Sequence, residues 1–246
     1  IVSEVEKKDR SRVSLPPFTT STLQQKAATL FGYSGKQTMS LAQQLYEEGL
    51  ITYHRTDSVN LSTQSIAMAR DYIETTFGKS YLPEKTRYFA QKSKNAQEAH
   101  EAIRVTDIGI VGEDILLKSG KFTGSHVKLY DLIWRRFIAS QMENARYNQT
   151  AVTIDFTAAA GTPSGHPQKG QLRSSGSILQ FDGWMKLFPH SEDSLLPPLS
   201  EQQDLTYADG LYAQKFTQPP ARFNDASLIK ELEKKGIGRP STYASI

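Results

Sequence analysis

The chain has 246 residues, enough for one large domain or two modest ones, and its 38% hydrophobic and 22% charged residues are the balance of an ordinary globular protein. It has no Cys, which excludes disulfides and thiolate metal sites, and no apolar run approaching the ~18 residues that a membrane-spanning helix needs. The net charge of +3, from 29 Lys and Arg against 26 Asp and Glu, permits a local basic surface without establishing a nucleic-acid partner.

In chain order, Ile1–Val5 predicts a strand that gives way to a charged run through residue 12, and Pro16-Pro17 punctuates the chain. From Thr20, Leu23, Ala27, Leu30 and Phe31 keep helical spacing up to Gly32. A second helix is predicted from Gln37 to Glu48, with Met39, Leu41, Ala42, Leu45 and Tyr46 on its apolar side and Gly49 just past its end. A third follows Ser62, carries Ile66, Ala69, Tyr72, Ile73 and Phe77, and stops at Gly78. Residues 79–96 read as a polar loop, residues 96–103 as a short helix, and residues 125–142 as a long helix bearing Leu129, Leu132, Ile133, Trp134, Phe137 and Ile138.

The character changes near residue 146. Ala151–Phe156 predicts a strand, residues 161–170 a Gly- and Pro-rich turn, and Ser177–Trp184 a second strand closing in a turn at Phe181-Asp182-Gly183-Trp184. Residues 189–204 form a Pro-, Ser- and acid-rich loop, and 204–207 with 211–216 read as a closing pair of strands around Asp209-Gly210. Pro219-Pro220 marks a boundary before a helix from Asn224 or Asp225 to Lys235. Another helix is expected to begin near Ser241, and the start at Ile1 without Met reads as a piece of a longer protein. The pattern is α+β: a helical segment between β-rich pieces, with the first strand pairing with those after residue 146.

Three segments carry chemistry. In Thr52-Tyr53-His54-Arg55-Thr56-Asp57-Ser58, an extended chain would put Tyr53, Arg55 and Asp57 on one face. A phenol has a pKa of about 10 and is almost wholly protonated at neutral pH. A neighbouring guanidinium favours the phenolate and can hold a phosphate with two hydrogen bonds. The alternative is a Tyr at a strand end beside a solvated Arg. In the second segment, His100 is followed four residues later by Arg104 rather than a second His, which removes the zinc-protease pattern. On a helix the two would share a face suited to a phosphate oxygen; the alternative is a surface helix with ordinary charges. The third segment, Gly236-Ile237-Gly238-Arg239-Pro240-Ser241-Thr242-Tyr243, offers Arg239, Ser241 and Thr242 where a helix starts, a favourable place for phosphate. The alternative is a helical corner with Ser241 as N-cap. The chain has no Walker loop, Rossmann glycine pattern, Asp-x-Asp pair or nucleophile elbow.

Taken together these segments resemble the type IA DNA topoisomerases. Pro17-Phe18-Thr19-Thr20-Ser21-Thr22-Leu23-Gln24, the Tyr53 segment, Ala99-His100-Glu101-Ala102-Ile103-Arg104, Phe181-Asp182-Gly183-Trp184 and Gly236–Ser245 match the family's motifs in family order, from residue 16 to the end. The His100 motif has the form seen in bacterial topoisomerase I rather than topoisomerase III. Val105 departs from the family, which usually has Pro there; this loosens a turn but removes no chemical group.

The resemblance implies that Tyr53 attacks a phosphodiester of single-stranded or negatively supercoiled DNA. That forms a 5′-phosphotyrosine link and frees a 3′-hydroxyl, which later reverses the step without ATP. It implies that Arg55 stabilises the transferring phosphate, that His100 contacts it, and that Arg239, Ser241 and Thr242 hold single-stranded DNA. Arg104 is a further candidate phosphate contact, and Asp57 a candidate tether to a neighbouring domain. No metal ligand is expected in this chain; Mg²⁺ would be held by a Toprim domain elsewhere in the same polypeptide. A cytoplasmic, monomeric bacterial enzyme is implied. In the family's architecture, residues 14–140 would form the helical domain carrying the tyrosine. Residues 1–13 with 141–218 would form a β-rich arch, and residues 219–246 would begin a single-strand-binding domain. The competing readings are a non-catalytic single-stranded-DNA-binding module and a tyrosine recombinase or type IB enzyme, which links to the 3′ phosphate instead.

Overall fold

The computed structural model describes residues 1–89, 100–111, 120–158, 168–189, 193–211 and 213–244. The chain is α+β and divides into two compact units, one formed by Ile1–Val13 with Asn144–Pro219, the other by Ser14–Glu143 with Pro220–Ile246.

The first unit is built on a three-stranded antiparallel sheet of β1 (Val2–Arg12), β2 (Ala145–Ala158) and β3 (Gln168–Phe181), in that order. Val2 lies opposite Ile154 and Arg12 opposite Ala145, with a bulge near Glu4. The charged run at residues 6–12 continues the strand instead of ending it. Its side chains are mostly exposed on an edge strand, where charge discourages further pairing. All three strands are longer than their apolar stretches predict, because ladder hydrogen bonds need no apolar side chain. Gly176 is required where it stands: a Cβ there would lie 2.6 Å from the carbonyl oxygen of Ser194, whose segment bridges to Ser177. The expected strands at 204–207 and 211–216 do not form among the described residues. Their side chains are largely exposed, so no burial rewards a hairpin. The expected turn at 161–170 lies mostly outside the described residues.

The second unit holds α1 (Thr20–Phe31), α2 (Gly35–Glu47), α3 (Thr63–Phe77), α4 (Gly124–Gln141) and α5 (Asp225–Lys234). Each start has a local cause. Thr19 and Thr22 make a reciprocal capping box for α1, Ser34 accepts from Gln37 N–H, Ser62 from Ser65 N–H, and Asn224 pairs reciprocally with Ser227. The ends are equally local: Gly32 and Gly49 both have φ 70°, in the left-handed region that stops a helix. The core gathers Phe18, Leu23, Leu45, Ile51, Ile73, Ile103, Leu129, Tyr130, Ile133, Phe137 and Ile138, all fully buried. Leu30 and Tyr46, expected on apolar faces, are instead 50% and 41% exposed. Residues 220–246 group with this unit, α5 packing on α1.

Candidate active site

The segment after α2 is fixed from two sides. Thr52 N–H donates to Arg104 O (2.9 Å), while Thr52 Oγ1 donates to Ala102 O (2.7 Å) and accepts from Arg104 N–H (3.0 Å). Four residues on, Thr20 takes over. Its N–H, one of those at the start of α1 without a partner inside the helix, donates to Thr56 O (2.9 Å). Its hydroxyl lies 2.8 Å from His54 O and accepts from Thr56 N–H at 2.9 Å. Thr56 Oγ1 in turn accepts from Ser58 N–H (3.0 Å).

These bonds pull every second residue inward. His54, Thr56 and Ser58 are buried, at 3%, 1% and 0% exposure, while Tyr53 and Arg55 are exposed and Asp57 is half-buried. Beyond Ile51 the segment belongs to no ladder, so the alternative of a Tyr at the end of a strand does not describe it. The alternation of a strand persists because hydrogen bonds from Thr20, rather than a neighbouring strand, impose it. Tyr53, Arg55 and Asp57 consequently line one cleft of about 370 Å³, joined by His100, Arg239, Pro240 and Ser241.

Rings surround Tyr53. Tyr46 meets it edge-on at 5.4 Å between centroids, His54 at 5.3 Å and His100 at 6.0 Å. His54 is buried with both ring nitrogens lacking a hydrogen-bond partner among the described residues. Burial pushes its imidazole below the usual histidine range, and the Arg55 charge adds to this. His100 reaches the cleft from an extended stretch secured by bridges between Phe18 and Ile103 and between Ile51 and Val105. The expected helix at 96–103 is therefore corrected for residues 100–103; residues 96–99 lie outside the described residues.

The same correction separates His100 from Arg104. Four residues span about 13 Å when extended, against roughly one 5.4 Å turn in a helix. Arg104 is turned to Glu101, with Nη2–Oε2 at 2.9 Å and Nε–Oε1 at 3.0 Å, and its guanidinium faces Phe137 at 5.9 Å. Its side chain is 13% exposed, and it does not line the cleft. Burial raises the Glu101 pKa, but bonds from Arg104 and Ser62 outweigh it and hold the carboxyl below its usual range.

Past α5, Gly236 (φ 68°) and Gly238 (φ 83°) turn the chain into a single helical turn. Thr242, not Ser241, caps that turn: its Oγ1 accepts from Arg239 N–H at 2.8 Å, and Tyr243 N–H donates to Arg239 O at 3.1 Å. Thr242 is thus committed to the backbone and stays outside the cleft, whereas Arg239 and Ser241 line it. Among the described residues the cleft presents Arg55, Arg239 and His100 against a single carboxylate, Asp57. That donor set suits a phosphodiester held beside an exposed phenol.

Several contributors escaped the sequence reading. Tyr46 reads as a core position because it lies on the apolar side of α2, yet it faces Tyr53. Thr20 belongs to a quoted motif, but its bonds to His54 and Thr56 join residues 34 and 36 apart, a link no local pattern reveals.

A family model described as DNA topoisomerase matches residues 1–246. Among curated proteins, DNA topoisomerase 1 of Escherichia coli (strain K12) is 47% identical over 253 residues, covering 99% of this chain and 27% of that protein. DNA topoisomerase 1 of Salmonella typhimurium is 48% identical over 250 residues, again with 99% of this chain and 27% of the relative covered. Among solved structures, full-length topoisomerase I from Thermotoga maritima superposes with a TM-score of 0.77 at 32% identity, covering 100% of this chain and 39% of that one. The chain thus spans about a quarter of the length of the curated relatives it matches.

Proposed function

Because this chain belongs to the type IA DNA topoisomerase family, we propose that Tyr53 is the nucleophile with which a longer polypeptide cuts and rejoins one DNA strand. The observation that carries this reading is the cleft itself: an exposed phenol shares about 370 Å³ with two guanidinium groups and an imidazole.

The Tyr53 oxygen attacks a phosphorus of single-stranded DNA. The bond from phosphorus to the phenolic oxygen forms as the bond to the 3′-oxygen breaks; the phenol loses a proton and the 3′-oxygen gains one. The products are a 5′-phosphotyrosine and a 3′-hydroxyl. Passage of the other strand through the gap, followed by the reverse attack, relaxes negative supercoils with no ATP, since the ester keeps the bond energy. Arg55 neutralises charge on the phosphorane-like transition state, where a fixed donor is worth most. His100 and Arg239 orient the phosphodiester, and Ser241 adds a hydroxyl donor. Tyr46 and His54 hold the Tyr53 ring by packing. Arg104 and Thr242 act by keeping the 100–105 stretch and the 239–243 turn in place. Asp57 shares the cleft with Arg239 and draws the tyrosine segment toward the 239–243 turn by charge.

Mg²⁺ is implied by the family. The residues described here do not fit it: among them Asp57 is the sole carboxylate lining the cleft, and no group of three or more His, Asp or Glu converges. The metal's ligands belong to a Toprim domain elsewhere in the polypeptide. The α+β architecture fits a helical tyrosine domain set in a β-rich arch, with residues 219–246 opening a single-strand-binding domain. The enzyme acts as a bacterial cytoplasmic monomer on DNA.

The test is Tyr53→Phe in the full polypeptide, incubated with end-labelled single-stranded DNA and then denatured. Covalent capture is abolished while affinity stays within about twofold, and in the wild type the label placed on the 5′ side of the break is the one released. Capture by the variant, or linkage to the 3′ phosphate, overturns the reading; the latter is the outcome for a type IB enzyme or tyrosine recombinase.

A further inference from the structure

The Tyr53 cleft does not end at Arg55. Arg55, Pro240 and Ser241 also line a second, contiguous cleft of about 530 Å³, whose remaining lining is Ala244 and one face of α2 bearing Lys36, Met39, Ser40 and Gln43. Residues 36, 40 and 43, with 39 beside them, follow the spacing of a single helix face. Among the described residues no carboxylate lines this second cleft, and Lys36 and Arg55 stand within it. Its volume is that of a small-molecule site.

The polar groups on this face are already oriented. Gln43 Nε2 donates to Glu47 Oε1 at 2.8 Å, and a carboxylate only accepts, so the amide cannot be flipped. Gln43 Oε1 is left as an acceptor with no hydrogen bond among the described residues. Ser40 Oγ accepts from Gln44 Nε2 at 3.5 Å, which leaves its O–H free to donate. Met39, 8% exposed, gives the cleft a soft apolar floor of the kind that packs against a flat ring. The set is a cation, an apolar platform, one fixed acceptor and one donor.

We propose that this second cleft is a nucleotide subsite, holding the nucleotide next to the scissile phosphodiester and favouring a base that carries an exocyclic amino group. Lys36 takes the backbone phosphate one step from Arg55, Met39 packs on the base face, and Gln43 Oε1 and the Ser40 hydroxyl meet its edge. The occupant is the DNA strand itself, because the two clefts share Arg55, Pro240 and Ser241 and a strand seated at Tyr53 continues beyond its scissile phosphate. The inference rests on the reading of the Tyr53 cleft as a DNA site and extends it.

The test is binding of fluorescent single-stranded octamers to the 246-residue chain, followed by anisotropy across a salt series. One octamer is deoxyadenosine; the other is its purine analogue, which lacks only the 6-amino group. The wild type binds the adenine octamer about five- to tenfold more tightly, the discrimination expected for one good base-edge contact. Gln43→Ala removes that preference, and Lys36→Ala weakens both octamers about equally and lowers the salt slope by about one. If both variants keep wild-type affinity and preference while Arg55→Ala weakens binding, the subsite is refuted and the DNA reading of the Tyr53 cleft stands. If the wild type binds neither octamer, the DNA reading of the cleft fails for this chain, and the subsite with it.

Discussion

The His54 imidazole packs against Tyr46 and Tyr53 with neither nitrogen bonded among the described residues, so protonating it places a charge where none of them receives it. Its folded pKa lies below the usual value, whereas the unfolded chain titrates near ~6.5. Between those two values the unfolded state binds more protons. The stability contribution is therefore complete above pH ~6.5 and lost as pH falls toward the folded pKa. His126 is shifted the same way by burial and adds to the slope. Urea midpoints measured from pH 8 to pH 5 will fall with pH, and His54→Met, which keeps an apolar side chain of similar size, will flatten part of that fall. A variant with the wild-type slope would show that His54 does not contribute to the pH dependence of stability. Spacing in the sequence put Tyr53, Arg55 and Asp57 on one face of an extended chain, and the bonds from Thr20 hold the segment in that alternating form. The sequence said nothing of His54 as a buried wedge, because burial depends on what Thr20 does thirty-four residues away.

Thr20 links α1 to the tyrosine segment through its N–H and its hydroxyl. Thr20→Val keeps shape but leaves the Thr56 N–H without a side-chain acceptor in a buried place, a loss of about 1–3 kcal/mol. In urea the midpoint falls with an unchanged slope, and covalent capture of DNA by the full polypeptide falls too, as Tyr53 loses its fixed position. Thr29→Val, which removes an exposed bond to Gln25 O on the same helix, changes stability by no more than about 0.5 kcal/mol. Equal effects from the two substitutions would mean that Thr20 acts through helix propensity alone. Helices were legible because their caps and stops are local: Thr19, Ser34 and Ser62 begin them, Gly32 and Gly49 end them. Two kinds of element were not. Residues 100–105 carry a helix-like sequence, yet bridges to Phe18 and Ile51 hold them extended, and that choice sends His100 to the cleft and Arg104 to Glu101. The ends of β1 and β3 extend through polar residues because their ladder partners, not their side chains, define them.

For the whole molecule, the cleft is rich in groups that bind and orient a phosphodiester and poor in groups that move its protons or hold a metal. We expect the 246-residue chain, incubated with negatively supercoiled plasmid and Mg²⁺, to leave the topoisomer distribution unchanged on a gel. Full relaxation would show that this chain carries a complete active site and would overturn that expectation. The two compact units also differ in how they are held. The helical unit contains the eleven largest fully buried side chains, whereas the sheet unit buries Val2, Ala145, Val152, Met185 and Leu187 beneath long ladders with solvated side chains.

By itself, the sequence determined the five helices with local caps and stops, the α+β class and the family, because caps, periodicities and an ordered set of motifs are written in neighbouring residues. Tertiary structure alone decided which chemically able residues share a cleft. It brought His100, Arg239 and Ser241 to Tyr53, withdrew Arg104 and Thr242 into structural bonds, and set the Lys36 face of α2 beside Arg55. The physical reason is that bonds and bridges between distant segments, such as Thr20 to His54 and Ile103 to Phe18, set the path of the backbone, and short-range bonds such as Arg104 to Glu101 and Arg239 to Thr242 then take up the side chains that path leaves outside the cleft.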